Sequence, residues 1–205
     1  MLIIGLTGGI GVGKTTVCSL LAKRGAHVID VDELGRQIIR PGGIAVDTLK
    51  AHFGDSVGDN QGGIDRPALA SIVFEDEEQL AALNAISHPF INELLDERVE
   101  ESSKDSIIIF DMAVLVESSL GYGTRNPYEI VVTVEAPMKI RIERLEQRGL
   151  SAQDANSRIE SQASDEDRRA VSQFIVTNGG DIDELEVAVD ELWVALRKLD
   201  LEKNS

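Results

Sequence analysis

An α/β fold, a five-stranded parallel sheet with helices on both faces, is predicted by three features of the sequence. Five short β-rich runs stand out, and several are almost continuously apolar, as strands buried on both faces of a parallel sheet must be. Helical stretches separate the runs, which is the alternation of a layered α/β sheet. A glycine-rich turn follows the first run directly, at the carboxyl end of a strand, where such sheets bind ligands.

The first run is Leu2 to Leu6. A helix follows from about Lys14 to Arg24, with Val17, Leu20 and Leu21 on its inner face and Gly25 suited to the position just past its end. The second strand is His27 to Asp30. From Glu33 to Lys104 the chain is much longer than one crossover and helical in parts, so a helical insertion is expected. Ser106 to Phe110 and Glu129 to Val134 are the third and fourth strands. Pro137 can open a helix holding Ile140 and Arg141, closed by Gly149. The polar stretch Gly149 to Arg169 is placed where a mobile cover could sit, and Gln173 to Thr177 is the fifth strand. Leu185, Ala188, Val189, Leu192, Trp193 and Leu196 then mark one face of an amphipathic helix, which makes Trp193 a core residue.

With 205 residues the chain is long enough for one substantial domain with small appendages. Its formal charge of −16 argues against a broad nucleic-acid surface. The charge is uneven: acids outnumber bases nine to one between Glu75 and Glu101, whereas Lys139 to Arg169 holds seven of the twenty bases. Such a concentration suits a local site for a small anion. A solvated helix of alternating charge is the plainer reading, and charge alone favours it. Cys18 is the only cysteine, which excludes an intramolecular disulfide and a cysteine metal cluster. The apolar runs are too short to cross a bilayer and no basic segment precedes the first of them, so a cytoplasmic protein without membrane association is expected.

Gly8, Gly13, Lys14 and Thr15 complete the pattern G-x-x-x-x-G-K-[ST]. Glycines let the backbone curl so that successive N–H groups face phosphate oxygens, and the next helix adds its positive end. Lys14 can reach the β- and γ-phosphates, and the Thr15 hydroxyl can join the coordination of Mg²⁺. By chance such a match arises in a chain of this length roughly 1% of the time, and the strand before it and helix after it strengthen the assignment. The expected nucleotide cradle is Gly8, Gly9, Gly11, Val12, Gly13, Lys14, Thr15 and Thr16, with ATP and Mg²⁺ as cofactors.

No Asn-Lys-x-Asp motif is present to read guanine. Asp32 follows the second strand, where a carboxylate can accept a proton from an attacking hydroxyl or position Mg²⁺ through water. A helix N-cap is the competing role, Asp30 is a rival residue, and spacing alone does not choose. Arg141, Arg144 and Arg148 share one helix face and can neutralise a transferring phosphoryl group, or merely pair with Glu143 and Glu146. Arg168 and Arg169 can close over a nucleotide or form an exposed basic pair. Asp111 ends the third strand where a Mg²⁺-holding acid would stand. His88 reads as a helix-boundary residue before Pro89. A P-loop can serve a small-molecule kinase or a non-catalytic switch, and an acceptor-side acid together with an arginine-bearing lid favours the kinase.

Over nearly its full length the chain resembles the dephospho-coenzyme A kinase family. The resemblance rests on "IGLTGGIGVGKTTV", "VIDVDELGRQIIRPGG", "IDRPALASIVF", "NAISHPFI", "LVES" and "RIESQASDEDRRAVSQFIVTNGG". It implies ATP-dependent phosphorylation of the ribose 3′-hydroxyl of dephospho-CoA. It also implies a P-loop kinase core at 1–32, 105–148 and 170–205, an acceptor-binding helical insertion at 33–104 and a lid at 149–169. Asp32 matches the family's acid near the acceptor hydroxyl, Arg141 an arginine near the transferred phosphate, and Asn178 with Gly179 a loop near the adenine. The implied partners are two small molecules, ATP and dephospho-CoA, with no nucleic acid and no membrane, and a monomer is expected. Members often carry Pro-Leu-Leu before the glutamate where this chain has Ala113, Val114, Leu115 and Val116 before Glu117, a departure that bears on acceptor affinity more than on chemistry.

Overall fold

Strand β1 (Leu2–Thr7) lies in the middle of a parallel sheet, with Leu2, Ile4 and Leu6 buried on one face and Gly5 and Thr7 on the other. It pairs with β3 (Ile107–Asp111) on one side and β4 (Ile130–Glu135) on the other. Strands β2 (His27–Asp30) and β5 (Phe174–Thr177) complete the order β2-β3-β1-β4-β5, all parallel. The computed structural model describes residues 1–73, 76–103, 106–116 and 128–204. Contacts divide these into two compact units, Met1–Asp30 with Ser102–Ser205, and Val31–Glu101.

The strand order places the ligand crevice in the first unit. From β1 the chain crosses to β2 at one edge, and from β3 it crosses to β4 on the other side, so the connections leaving the neighbouring strands β1 and β3 diverge at their carboxyl ends. Helix α1 (Lys14–Lys23) sends Val17, Leu20 and Leu21 into the core beneath the sheet, and Gly25 with φ +104° makes the left-handed turn that ends it.

The second unit is helical: α2 (Val31–Gln37), α3 (Val46–Phe53), α4 (Arg66–Val73) and α5 (Glu77–Glu100). Asp76 caps α5 by accepting from the Glu78 and Gln79 amides at 2.9 and 3.2 Å. Pro89 lies inside α5, so His88 is a mid-helix residue and not the boundary residue the sequence suggested. The proline removes one amide donor, and Ile91 and Leu95 hold the helix by their burial. Burial also lowers the His88 pKa.

Returning to the first unit, α6 (Met138–Gln147) follows Pro137 as expected. The polar stretch after it forms two capped helices, α7 (Ala152–Glu160) on Ser151 and α8 (Asp165–Val171) on Ser164. Ser164 and Asp167 make a reciprocal capping box, and Ala155 and Ile159 bury against Leu145 of α6. The final helix, α9 (Ile182–Lys203), packs Leu185, Val189, Leu192 and Leu196 onto the same core as α1, with Trp193 half-buried against it. No described helix is long and apolar enough to cross a membrane. Glu117 lies outside the described residues.

Leu196 is fully buried between α9 and the sheet. Leu196→Ala is expected to lower unfolding free energy by about 2–5 kcal/mol, read from the urea midpoint at unchanged m-value.

Candidate active site

The loop between β1 and α1 is shaped by what surrounds it. Gly11 and Gly13 take φ of +84° and +88°, conformations that side-chain-bearing residues rarely adopt. A Cβ at Gly8 would meet the Val134 carbonyl oxygen at 2.6 Å, and one at Gly9 would run into the Arg141 guanidinium. The amides of Thr16 and Val17 both donate to the Gly13 carbonyl, at 3.0 and 3.3 Å. The loop thus passes straight into α1, whose first-turn amides and positive end give the anion site expected of this motif.

Lys14, the first residue of α1, forms an ion pair with Asp111 at the end of β3. Asp111 stands in register with Asp30, the last residue of β2, so two carboxylates end adjacent strands beside the loop. Thr15 is exposed and follows Lys14 in the first turn of α1. A hydroxyl and carboxylates are the hard oxygen donors that Mg²⁺ prefers. No group of three or more His, Cys, Asp or Glu poised for a metal occurs among the described residues, so phosphates and water would supply most of the ligands. Cys18 lies one turn along α1. Burial first, then the Asp111 carboxylate, raise its thiol pKa well above the ordinary range, which leaves it unreactive.

Behind the loop stand two arginines of α6. Arg141 is 2% exposed; its Nε donates to the Ile10 carbonyl at 2.9 Å and its Nη1 lies 3.3 Å from Asp165 of α8. Burial lowers its pKa, and Asp165 works in the opposite direction. Arg144 donates to the Val12 carbonyl at 3.1 Å and to Asn178 Oδ1 at 3.1 Å. Asn178 Nδ2 donates to the same Val12 carbonyl at 2.8 Å. Arg141 and Arg144 therefore face the loop instead of pairing with Glu143 and Glu146 across the helix surface. Arg148, the cap residue of α6, borders a cavity of about 510 Å³ lined also by Gly13, Thr16, Arg144, Asn178 and Asp181.

The segment after α7 closes the back of the site. Gln162 Oε1 accepts from the Ile10 amide at 2.7 Å. Arg168 is buried, donates to the Ala163 carbonyl at 2.5 Å and lies 3.7 Å from Asp165. Arg169 makes a two-pronged pair with Glu135 at the end of β4, at 2.7 and 2.6 Å. Neither is an exposed basic residue without partners, and both are engaged with protein groups.

The fold brings the sequence candidates Gly8 to Thr16, Arg141 and Asn178 together in the first unit. Asp32 belongs to the second unit, in the first turn of α2 and not at the cap position before it. Asn178 lines the cavity, but both ends of its amide hold the loop and Arg144. Gln162, Asp165 and Glu135 were not picked out individually, and the sequence signal was the quoted Q-A-S segment that contains the first two.

A parallel α/β sheet with a phosphate-binding loop, an opposed Lys–Asp pair and arginines packed against the loop defines a P-loop protein of the small-molecule kinase type. The family model for dephospho-CoA kinase (CoaE) matches residues 2–184, and the chain belongs to that family. It is 41% identical to a dephospho-CoA kinase of Thermobifida fusca over 97% of this chain and 98% of that one. It is 39% identical to a dephospho-CoA kinase of Leifsonia xyli over 96% of this chain and all of the other. A crystal structure of a Thermus thermophilus protein superposes with a TM-score of 0.80 at 33% identity, covering 95% of this chain and 97% of that one.

Arg144→Ala removes one of the two grips on Val12 and one wall of the cavity. KM for ATP is expected to rise about tenfold, the scale of one charge-assisted hydrogen bond. An unchanged KM with an intact fold would remove Arg144 from the site.

Proposed function

We propose that this chain transfers the γ-phosphoryl group of ATP to the ribose 3′-hydroxyl of dephospho-CoA, releasing ADP and CoA, the last step of coenzyme A biosynthesis. The observation that carries the mechanism is the loop Gly8–Gly13 with Lys14 at its mouth and Arg141 and Arg144 bonded to its back, beside a cavity of about 510 Å³. The cavity is the nucleoside site in this reading, and the loop amides with Lys14 take the β- and γ-phosphates.

Asp32 takes the proton of the 3′-hydroxyl as its oxygen forms a bond to the γ-phosphorus. The bond from that phosphorus to the β,γ-bridging oxygen breaks, and ADP leaves with the electron pair. Mg²⁺ bound near Thr15, Asp111 and Asp30 would neutralise charge on the phosphate oxygens. Lys14 and Arg141 stabilise the same charge, Arg141 from a position held by Ile10 and Asp165. The helical segment 33–104 holds the acceptor, and 149–169 serves as the lid that keeps water from competing for the phosphoryl group. Cytoplasmic substrates would be the ordinary supply.

Coupled ADP release with ATP and Mg²⁺ is expected with dephospho-CoA and not with CoA, AMP or buffer alone. Release that ignores the acceptor would replace the kinase with an ATPase or a switch. For Asp32→Asn, kcat is expected to fall about 10²- to 10⁴-fold with KM for ATP nearly unchanged, the range for a lost general base. A shift in thermal stability alone would make Asp32 structural.

A further inference from the structure

Helix α9 presents a second apolar line, opposite the one it buries. Val187, Val194 and Leu201 are 59%, 70% and 61% exposed. They recur every seven residues, so they lie along one stripe that drifts by only about 20° per step. At 1.5 Å per residue the helix is about 33 Å long, enough to lay the whole stripe against another helix.

The charges beside the stripe choose the partner. Asp190 and Glu191 flank the interval from Val187 to Val194, and Arg197 and Lys198 flank the interval from Val194 to Leu201. A parallel copy of the helix would set acids against acids and bases against bases. An antiparallel copy centred on Val194 sets Val194 against its own equivalent and Val187 against Leu201. In an antiparallel pair, residues on the same flank of the stripe meet. Glu191 and Lys198 share one flank, and Asp190 and Arg197 share the other, so every such meeting joins opposite charges. This is the self-complementarity of a two-fold interface.

We propose that α9 pairs antiparallel with α9 of a second copy of this chain, forming a weak two-fold dimer. Within one copy, Asp190 already accepts from Arg24 at 2.7 Å, and Arg197 lies 4.0 Å from Asp200. The Glu191–Lys198 pair therefore carries the specificity, since Lys198 gives up only a surface contact to Glu202 at 3.8 Å. One pair of helices covers less than the roughly 1,600 Å² of a standard interface. The charge of −16 on each copy further opposes association. The monomer expected from the sequence is then the dilute form.

Sedimentation equilibrium of the full chain from about 1 to about 500 μM, the range in which a small interface holds, is expected to show a reversible monomer–dimer equilibrium. Val194→Glu should weaken it at least about tenfold, because two like charges meet at the two-fold axis. Glu191→Lys should weaken it as well, and Glu191→Lys combined with Lys198→Glu should restore it, with kinase turnover unaltered throughout. A monomer across the whole range overturns the proposal and leaves the stripe to another partner. A dimer indifferent to Val194→Glu also overturns it, by placing self-association on a different surface.

Discussion

A loop that turns its amides toward one point turns its carbonyls away from it, and carbonyls inside a protein need donors. This constraint governs the back of the active site. The Ile10 carbonyl is met by Arg141, and the Val12 carbonyl by both Arg144 and Asn178. Two arginines one turn apart on α6 are long enough to reach two carbonyls two residues apart in the loop. That match fixes α6 against the loop, and it leaves no room for a Cβ at Gly9, where the Arg141 guanidinium lies, or at Gly13, where the Asn178 amide lies. The glycines thus meet two demands at once, left-handed backbone at Gly11 and Gly13 and close approach at Gly9.

Burying guanidinium groups creates the next requirement. A cation with 2% exposure has lost nearly all its water, and an unpaired charge in that setting is expensive. Asp165 supplies the counter-charge to Arg141 and also lies near Arg168, while Glu135 takes Arg169. Because Asp165 and Arg169 both belong to the short helix α8, the electrostatic needs of the core fasten this helix to β4 and α6. In the proposed reaction a triphosphate would add negative charge beside Arg141, where Asp165 already supplies some. The contact between Arg141 and Asp165 is the one in this set that such a ligand would weaken most directly.

The parallel sheet was legible in the sequence because strands buried on both faces leave nearly unbroken apolar runs, and each of the five lies within a residue of its expected place. The phosphate loop was legible because its chemistry demands particular residues at fixed spacing. Other features were hidden for physical reasons. The two helices within 149–169 were hidden because they are short, capped by serines and polar on most faces, so they carry little periodic signal. His88 looked like a helix boundary because proline disfavours helix locally, and the packing of α5 through Ile91 and Leu95 overrides that preference. Asn178 was singled out by the resemblance alone, as part of a loop near the adenine. Only coordinates reveal that its amide is shared between Val12 and Arg144.

The Lys14–Asp111 pair joins the mouth of the loop to the end of β3. Both side chains are largely withdrawn from solvent, so each steadies the other where the start of α1 meets the end of β3. A triphosphate that draws Lys14 toward its own oxygens leaves the carboxylate without its cation. In the proposed reaction a divalent cation entering with the nucleotide would offset that loss by giving Asp111 one positive partner for another. In the proposed reaction the two carboxylates ending β2 and β3 would offer a divalent cation that arrives with the nucleotide a place beside the loop.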